Sequence, residues 1–288
     1  TAMKNQIAWI DGSWGSTADL ALPLRDRGLQ LADGIFETIL ILDGHPQLLN
    51  AHLSRWQTSA CLLGMAPPPT AKWLTPLIKE GLKQCNLDNG NGALRLNWSR
   101  GDSSSRGISL PQDNPKSTTH RFWLELNAVQ PCFTPLTTMI SCHERRNANS
   151  RLSHCKTFAY GQAIQARHEA QKANCDEAIL LSTNGELCCG SAANLIVRRN
   201  NHWLTPRLAS GCLAGVMRQQ GLEHGWLQET QLEATPEKDD QWLLINSLSC
   251  QPIVKLNDHL LRAWPDPEDL WYSLLKPNKT DTSPRHTD

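Results

Sequence analysis

The stretch that most limits the fold is DGIFETILILDGHPQLL, residues 33–49. An apolar run is followed by Asp43-Gly44 and a second apolar run, which is a hairpin signal because Asp-Gly suits the two-residue turn whose twist matches paired strands. The same device stands at Asp11-Gly12 within IAWIDGSWG, so the chain opens as strand, turn, strand. Helical patterning follows in NAHLSRWQTSACLLGM (50–65), with Asn50 as candidate N-cap, and in PPPTAKWLTPLIKEGLKQCNL (67–87), with Thr70 as cap and Pro76 late in the first turn. GALRLNWSRG (92–101), HRFWLELNAV (120–129) and LTTMISC (136–142) return to strand-like patterning. Strands and helices in separate stretches make the first portion α+β.

Prolines interrupt the chain at VQPCFTP (129–135). Beyond them KTFAYGQAIQARHEAQKAN (156–174) has the composition and spacing of a helix of about five turns. EAILLS (177–182), NLIVRR (194–199), HWLTP (202–206) and QWLLINSL (241–248) predict strands, and GVMRQQGLEHG (215–225) and PEDLWYSLLK (267–276) predict helices. TPEKDD (235–240) opens a short helix, and PNKTDTSPRHTD (277–288) has no apolar residue and reads as disordered.

Lys plus Arg and Asp plus Glu both number 28. That balance gives no basic face and argues against nucleic acid as main partner. No run approaches the roughly 18 apolar residues that cross a bilayer, and the first residues lack a signal peptide's basic-then-apolar layout. The ten cysteines are scattered over a long chain without CxxC or zinc spacing, so they are expected as reduced thiols in a cytoplasmic protein with no metal.

Four segments carry candidate chemistry. In RLSHCKTFAYG a lone amine, Lys156, sits between a polar loop and a helix-like run. Desolvated beside other cations it forms a Schiff base with an aldehyde; otherwise it is an ordinary surface lysine. In LLNAHLSRW the Arg55 fork suits a phosphate, although alone it reads as a solvated helix-face side chain. In SGCLAGVMRQQ, Gly215 opens a helix whose N–H groups at Val216 and Met217 suit the same anion, or are simply a helix start. STNGELCCGSAANL is a turn followed by small residues that let backbone approach a flat ring.

The order of these segments makes them specific. DRGLQLADGIFETI, HLSR, the lysine segment, CDEAILLSTNG, SAANL and TPRLASGCLAGVMRQ together resemble the class IV, fold-type IV pyridoxal-phosphate enzymes from about residue 7 to residue 262. That family includes branched-chain and D-amino-acid transaminases and 4-amino-4-deoxychorismate lyase. GALRLNWSRGDSSSRGIS, AANLIVRRNNHWLTPRL and LLINSLSCQPI resemble the lyase branch more closely.

The resemblance implies an α+β, two-domain fold, with a smaller N-terminal α+β domain (1–130) and a larger, barrel-like α/β cofactor domain (131–276). It implies pyridoxal 5'-phosphate as cofactor, a homodimer and a small-molecule substrate. Lys156 then carries the Schiff base and moves protons, and Arg55, the amides of Val216 and Met217 beside Gly215, and Ser247 hold the phosphate. Ser191, Ala192, Ala193 and Asn194 lie against the cofactor, and Arg106 anchors a substrate carboxylate. Phe36, where transaminases often carry Tyr, is implied beside the pocket with Glu37 and Thr38. Tyr160 packs beside the ring or serves as a core aromatic.

One position departs from the family pattern. A Glu is expected four residues after Gly185 and five before Asn194, to pair with the pyridine nitrogen; this chain has Cys189. Glu186 is near in sequence but at the wrong offset. The change implies a weaker electron sink or a thiolate–pyridinium pair, and it favours the lyase. A transaminase and a cofactor-binding relative of low activity stay open as alternatives.

Overall fold

The computed structural model describes residues 6–102, 106–110 and 119–276, and the tail expected to be disordered lies outside them. The chain divides into two compact units: residues 1–131 with 149–164, and residues 132–148 with 165–288.

The first unit is built on an antiparallel six-stranded sheet in the order β2-β1-β6-β5-β3-β4. Its strands are β1 (Gln6–Ile10), β2 (Ser13–Gly15), β3 (Gly34–Leu42), β4 (His45–Pro46), β5 (Gly92–Ser99) and β6 (Arg121–Ala128). Both Asp-Gly turns predicted from the sequence join strands, with positive φ at Asp11, Gly12, Asp43 and Gly44.

Side chains alternate across such a sheet. Ile35, Ile39, Ile41, Leu94, Leu96, Trp98, Phe122, Leu124 and Leu126 therefore share one face and form a single core with α2 (Leu49–Leu62) and α3 (Ala71–Gln84). α2 begins one residue before the expected cap: Leu48, in the left-handed region at φ 52°, precedes it, so Asn50 does not cap. Thr70 holds the cap position of α3 without a side-chain hydrogen bond, and Pro76 lies inside that helix. A short helix, α1 (Arg27–Leu31), is capped by Asp26.

The helix expected from Lys156 onward starts only at Gly161, as α4 (Gly161–Lys172). The reason is a sheet edge. β4 pairs with β3 only at Ile41 and Leu42, which leaves the first half of β3 with open backbone groups. Residues 156–158 occupy that edge: Phe36 N–H donates to the Lys156 carbonyl at 2.9 Å, Phe158 N–H donates to the Gly34 carbonyl at 3.0 Å, and Ile35 pairs with Thr157. This pairing also explains why residues 149–164, expected in the second domain, belong to the first unit.

The second unit contains a closed ring of six strands. In ring order they are β10 (Asn194–Arg199), β13 (Gln241–Asn246), β14 (Ser249–Leu256), β7 (Leu136–Arg146), β8 (Glu177–Ser182) and β9 (Leu187–Gly190), which returns to β10 through the Asn194–Cys189 pair. β11 (His202–Pro206) and β12 (Leu227–Thr230) extend it at β10, and β15 (His259–Leu260) pairs with β14. Leu181, Leu187, Leu195, Val197, Trp242, Leu244 and Ile253 form its core. α5 (Val216–Glu223) and α6 (Pro267–Ser273) complete the unit. TPEKDD is a turn rather than a helix, because the Asp240 carboxylate accepts from the Glu237 N–H at 2.9 Å and from Trp242 Nε1 at 3.1 Å.

Among the described residues no helix is long and apolar enough to cross a membrane, and no group of His, Cys, Asp or Glu is placed to hold a metal ion. All ten cysteines are free thiols.

Candidate active site

The pleat of β3 sends its residues to two different places. Phe36 and Thr38 point away from the apolar core, whereas Glu37 points toward α2.

On the Phe36 side, the edge segment lays the Lys156 side chain over the sheet. Its Nζ lies 4.3 Å from the Phe36 ring centroid and donates to the Tyr160 hydroxyl at 3.1 Å. Tyr160 and Phe36 are themselves in ring contact at 5.5 Å. Lys156 is only partly exposed, so its amine is held by aromatic surface and one hydroxyl. Tyr160 lies past a bend at Phe158, where its N–H donates to the Phe158 carbonyl at 2.9 Å, and from there its hydroxyl reaches the Lys156 amine.

A second cation shares the Phe36 ring. Arg95, from β5, stacks with its guanidinium carbon 3.7 Å from the centroid, and its Nε donates to Asn97 Oδ1 at 2.7 Å. Burial lowers its pKa, while Glu125 and Tyr160 pull it back up; a guanidinium stays charged through such shifts. Thr38 is its cross-strand partner on β3 and Glu125 its partner on β6. Arg95 was not singled out in the sequence. The signal available was a charged residue at a position that alternates with the buried Leu94 and Leu96.

On the core side, Glu37 accepts from Arg55 at both oxygens, Nε–Oε1 at 2.8 Å and Nη2–Oε2 at 2.6 Å, and contacts His52 Nδ1 at 2.7 Å. Burial raises the Glu37 pKa, but the Arg55 charge and the bonds to His52 and Arg55 outweigh it and hold the carboxyl at about 2. Burial pushes His52 below its ordinary value, with Arg55 and Lys156 adding to the shift against the pull of Glu37. Arg55, expected on a phosphate, is thus already oriented and charge-compensated by Glu37. Arg106 is exposed on the loop after β5 and, among the described residues, joins none of these bonds.

In the second unit three loops are tied together. Asn194 Nδ2 donates to the Leu213 carbonyl at 2.8 Å, and Asn246 Nδ2 donates to the Ala192 carbonyl at 3.2 Å. These bonds join the 191–193 loop to the start of α5 and to the turn containing Ser247. Ser191 accepts from Arg167 at 2.8 Å, Ala192 is exposed and Ala193 packs against the barrel core. Gly215 caps α5 without a side-chain bond, so the N–H groups of Val216 and Met217 meet no side-chain cap. A Cβ on Gly215 would lie 1.9 Å from Asn194 Oδ1, so this close approach requires glycine.

Cys189 pairs with Leu180 on β8 while Leu187 pairs with Leu181, which leaves Cys188 as the extra residue of a β-bulge. The bulge brings the two adjacent thiols together with Cys212. Contact with Cys189 and burial raise the Cys188 pKa, and burial pushes Cys212 up to about 11. Glu186 is buried, and Arg207 donates to it through Nη2 at 2.9 Å and Nε at 3.0 Å. That pairing commits the carboxylate nearest to Cys189 in sequence.

The Amino-transferase class IV family model matches residues 34–256. An aminodeoxychorismate lyase of Bacillus subtilis is 26% identical over 262 residues, covering 88% of this chain and 87% of its own. A fold IV-transaminase from Curtobacterium pusillum superimposes with a TM-score of 0.80 at 23% identity, over 94% of this chain and 99% of that one. A putative 4-amino-4-deoxychorismate lyase from Legionella pneumophila gives 0.78 at 23% identity, over 90% and 96%.

Proposed function

Because this chain belongs to the class IV aminotransferases, a family of pyridoxal-phosphate-dependent enzymes, we propose that it is the lyase that turns 4-amino-4-deoxychorismate into 4-aminobenzoate and pyruvate, a step toward folate. The observation that carries the reading is the Lys156 amine, partly buried on Phe36 and bonded to Tyr160. The three lyase-like segments and the similarity to the Bacillus enzyme over most of both chains support the choice of reaction. A cytoplasmic homodimer belongs to the same reading.

The residues present fit the cofactor chemically. Lys156 offers a primary amine for its aldehyde, and the start of α5 offers N–H groups that lack a side-chain cap for its phosphate. When bound, pyridoxal phosphate supplies a carbonyl that captures amines and a ring that draws electrons away from the amine-bearing carbon. Lys156 would be the group that moves the proton at the amine-bearing carbon; Tyr160 bonds the lysine nitrogen and fixes its direction. A positioned proton carrier of this kind contributes about 10²–10⁴ in rate. By the resemblance, Val216, Met217 and Ser247 would hold the phosphate, and Arg55, oriented by Glu37, is assigned to it as well.

Cys189 stands where the family's Glu keeps the ring nitrogen protonated, and a thiol does this less firmly. Expelling pyruvate leaves an aromatic ring, so the product itself drives the lyase reaction. Amino-group exchange relies more on the withdrawn charge. The test is anaerobic incubation with aminodeoxychorismate, which is expected to yield aminobenzoate. A parallel incubation with an amino donor and a 2-oxo acid is expected to yield little exchange, and Cys189→Glu is expected to raise exchange relative to lyase turnover. Fast exchange without aminobenzoate would replace this reading with a transaminase.

A further inference from the structure

Three sets of bonds converge on the two-residue turn, Ser247-Leu248, that joins β13 to β14. The Asn246 side chain supplies the first. Its Oδ1 accepts from the Leu248 N–H at 2.8 Å and from the Ser249 hydroxyl at 3.0 Å, while its Nδ2 holds the Ala192 carbonyl. The segment leading into β7 supplies the second. Cys132 N–H donates to the Leu248 carbonyl at 3.0 Å, and Cys250 N–H donates to the Cys132 carbonyl at 3.0 Å. The third comes from α6, the last helix among the described residues: Trp271 Nε1 donates to the Asn246 carbonyl at 2.9 Å.

α6 has seven residues, too few to persist on helix propensity alone. Its hold is Trp271, which is 0% exposed and packs edge-on against Phe133, with ring centroids 5.6 Å apart. Phe133 follows Cys132, so the indole is wedged against the same segment that bonds Leu248. A buried indole needs one acceptor for its single N–H. Here the acceptor is the carbonyl of the peptide that leads into Ser247. A trans peptide is planar, so the Asn246 carbonyl and the Ser247 N–H point in opposite directions from one rigid unit; no peptide bond among the described residues is cis. Fixing the carbonyl on Trp271 therefore fixes the direction of the Ser247 N–H.

We propose that Trp271 is a positioning residue for the phosphate seat of the cofactor: through the Asn246 peptide it aims the Ser247 N–H and hydroxyl at the phosphate. The proposal rests on the assignment of Ser247 to the phosphate given above, and it makes α6 part of the cofactor grip.

The test measures binding rather than turnover. The full chain, stripped of cofactor, is titrated by absorbance with pyridoxal phosphate and with pyridoxal, which has the same aldehyde and ring but no phosphate. The native chain is expected to prefer pyridoxal phosphate by about a hundredfold or more, the scale of several charge-assisted hydrogen bonds. Trp271→Phe is expected to lower that preference by about threefold to tenfold, the scale of one lost hydrogen bond, and to leave pyridoxal binding unchanged. Replacing Trp271 by benzothienylalanine, whose sulfur takes the place of the N–H at equal ring volume, is expected to do the same, and it carries the test if thermal melts show that the phenylalanine variant is unfolded. Tyr272→Phe, on the same helix, is expected to change neither affinity. A preference undiminished without the indole N–H overturns the proposal. So does equal weakening of both ligands, which would mark Trp271 as a packing residue only, and so does a native chain with no preference for the phosphate. A lowered preference in a protein that makes no aminobenzoate leaves the brace standing and removes only the lyase; an undiminished preference in one that makes it does the reverse.

Discussion

At Glu37 one carboxylate sets the state of two bases. It is 1% exposed, bonds Arg55 through both oxygens and contacts His52. Its pKa falls from an ordinary 4.5 to about 2, so its contribution to stability is fully present above about pH 4.5 and lost as pH falls toward about 2. The size is roughly 3 kcal/mol. His52 is also held below its ordinary value; protonating it favours the unfolded chain, so its effect begins nearer pH 6.5 and acts in the same direction. Denaturant titrations over pH are expected to show stability falling with acid in the native protein. In Glu37→Gln the curve is expected to start about 3 kcal/mol lower at pH 7 and to be flatter below pH 4.5. Equal slopes in the two proteins would remove this role from Glu37.

At the scale of elements, the controlling feature is the open edge of β3. The sequence from residue 156 has helix-compatible composition, yet residues 156–158 lie along the sheet edge because unpaired backbone groups on β3 are nearby in space. No local pattern announces such pairing, which is why the helix was expected five residues too early. For the same reason the grouping of Phe36, Glu37 and Thr38 was legible as a site but not its division between two faces. Elements with strong local signals were read well: EAILLS and NLIVRR match β8 and β10 residue for residue. β9 was missed because Leu187–Gly190 is four residues long and bulged. The edge strand also depends on a missing side chain. A Cβ on Gly34 would lie 2.2 Å from the Phe158 ring, so Gly34→Ala is expected to shift that ring, lower stability by about 1–3 kcal/mol and displace Lys156. Thermal melts and cofactor absorbance read both effects; an unchanged melt with unchanged absorbance would mean that the edge tolerates the methyl group.

For the whole molecule, family order in the sequence was enough to imply a two-part chain, a barrel in the second part and the cofactor. The closed six-stranded ring and the structural likeness to fold IV enzymes bear out that fold. What the sequence did not contain was the pairing state of charges. Arg55 committed to Glu37, Glu186 committed to Arg207, and Arg95 without a carboxylate partner among the described residues emerge only in three dimensions. The reading of function depends on one nitrogen among the lysines of the chain reacting with the cofactor. The most direct measurement is to add pyridoxal phosphate, reduce with borohydride and map the modified peptide by mass spectrometry. The label is expected on Lys156 alone and is expected to vanish in Lys156→Ala; a label on another lysine, or none, would contradict the account.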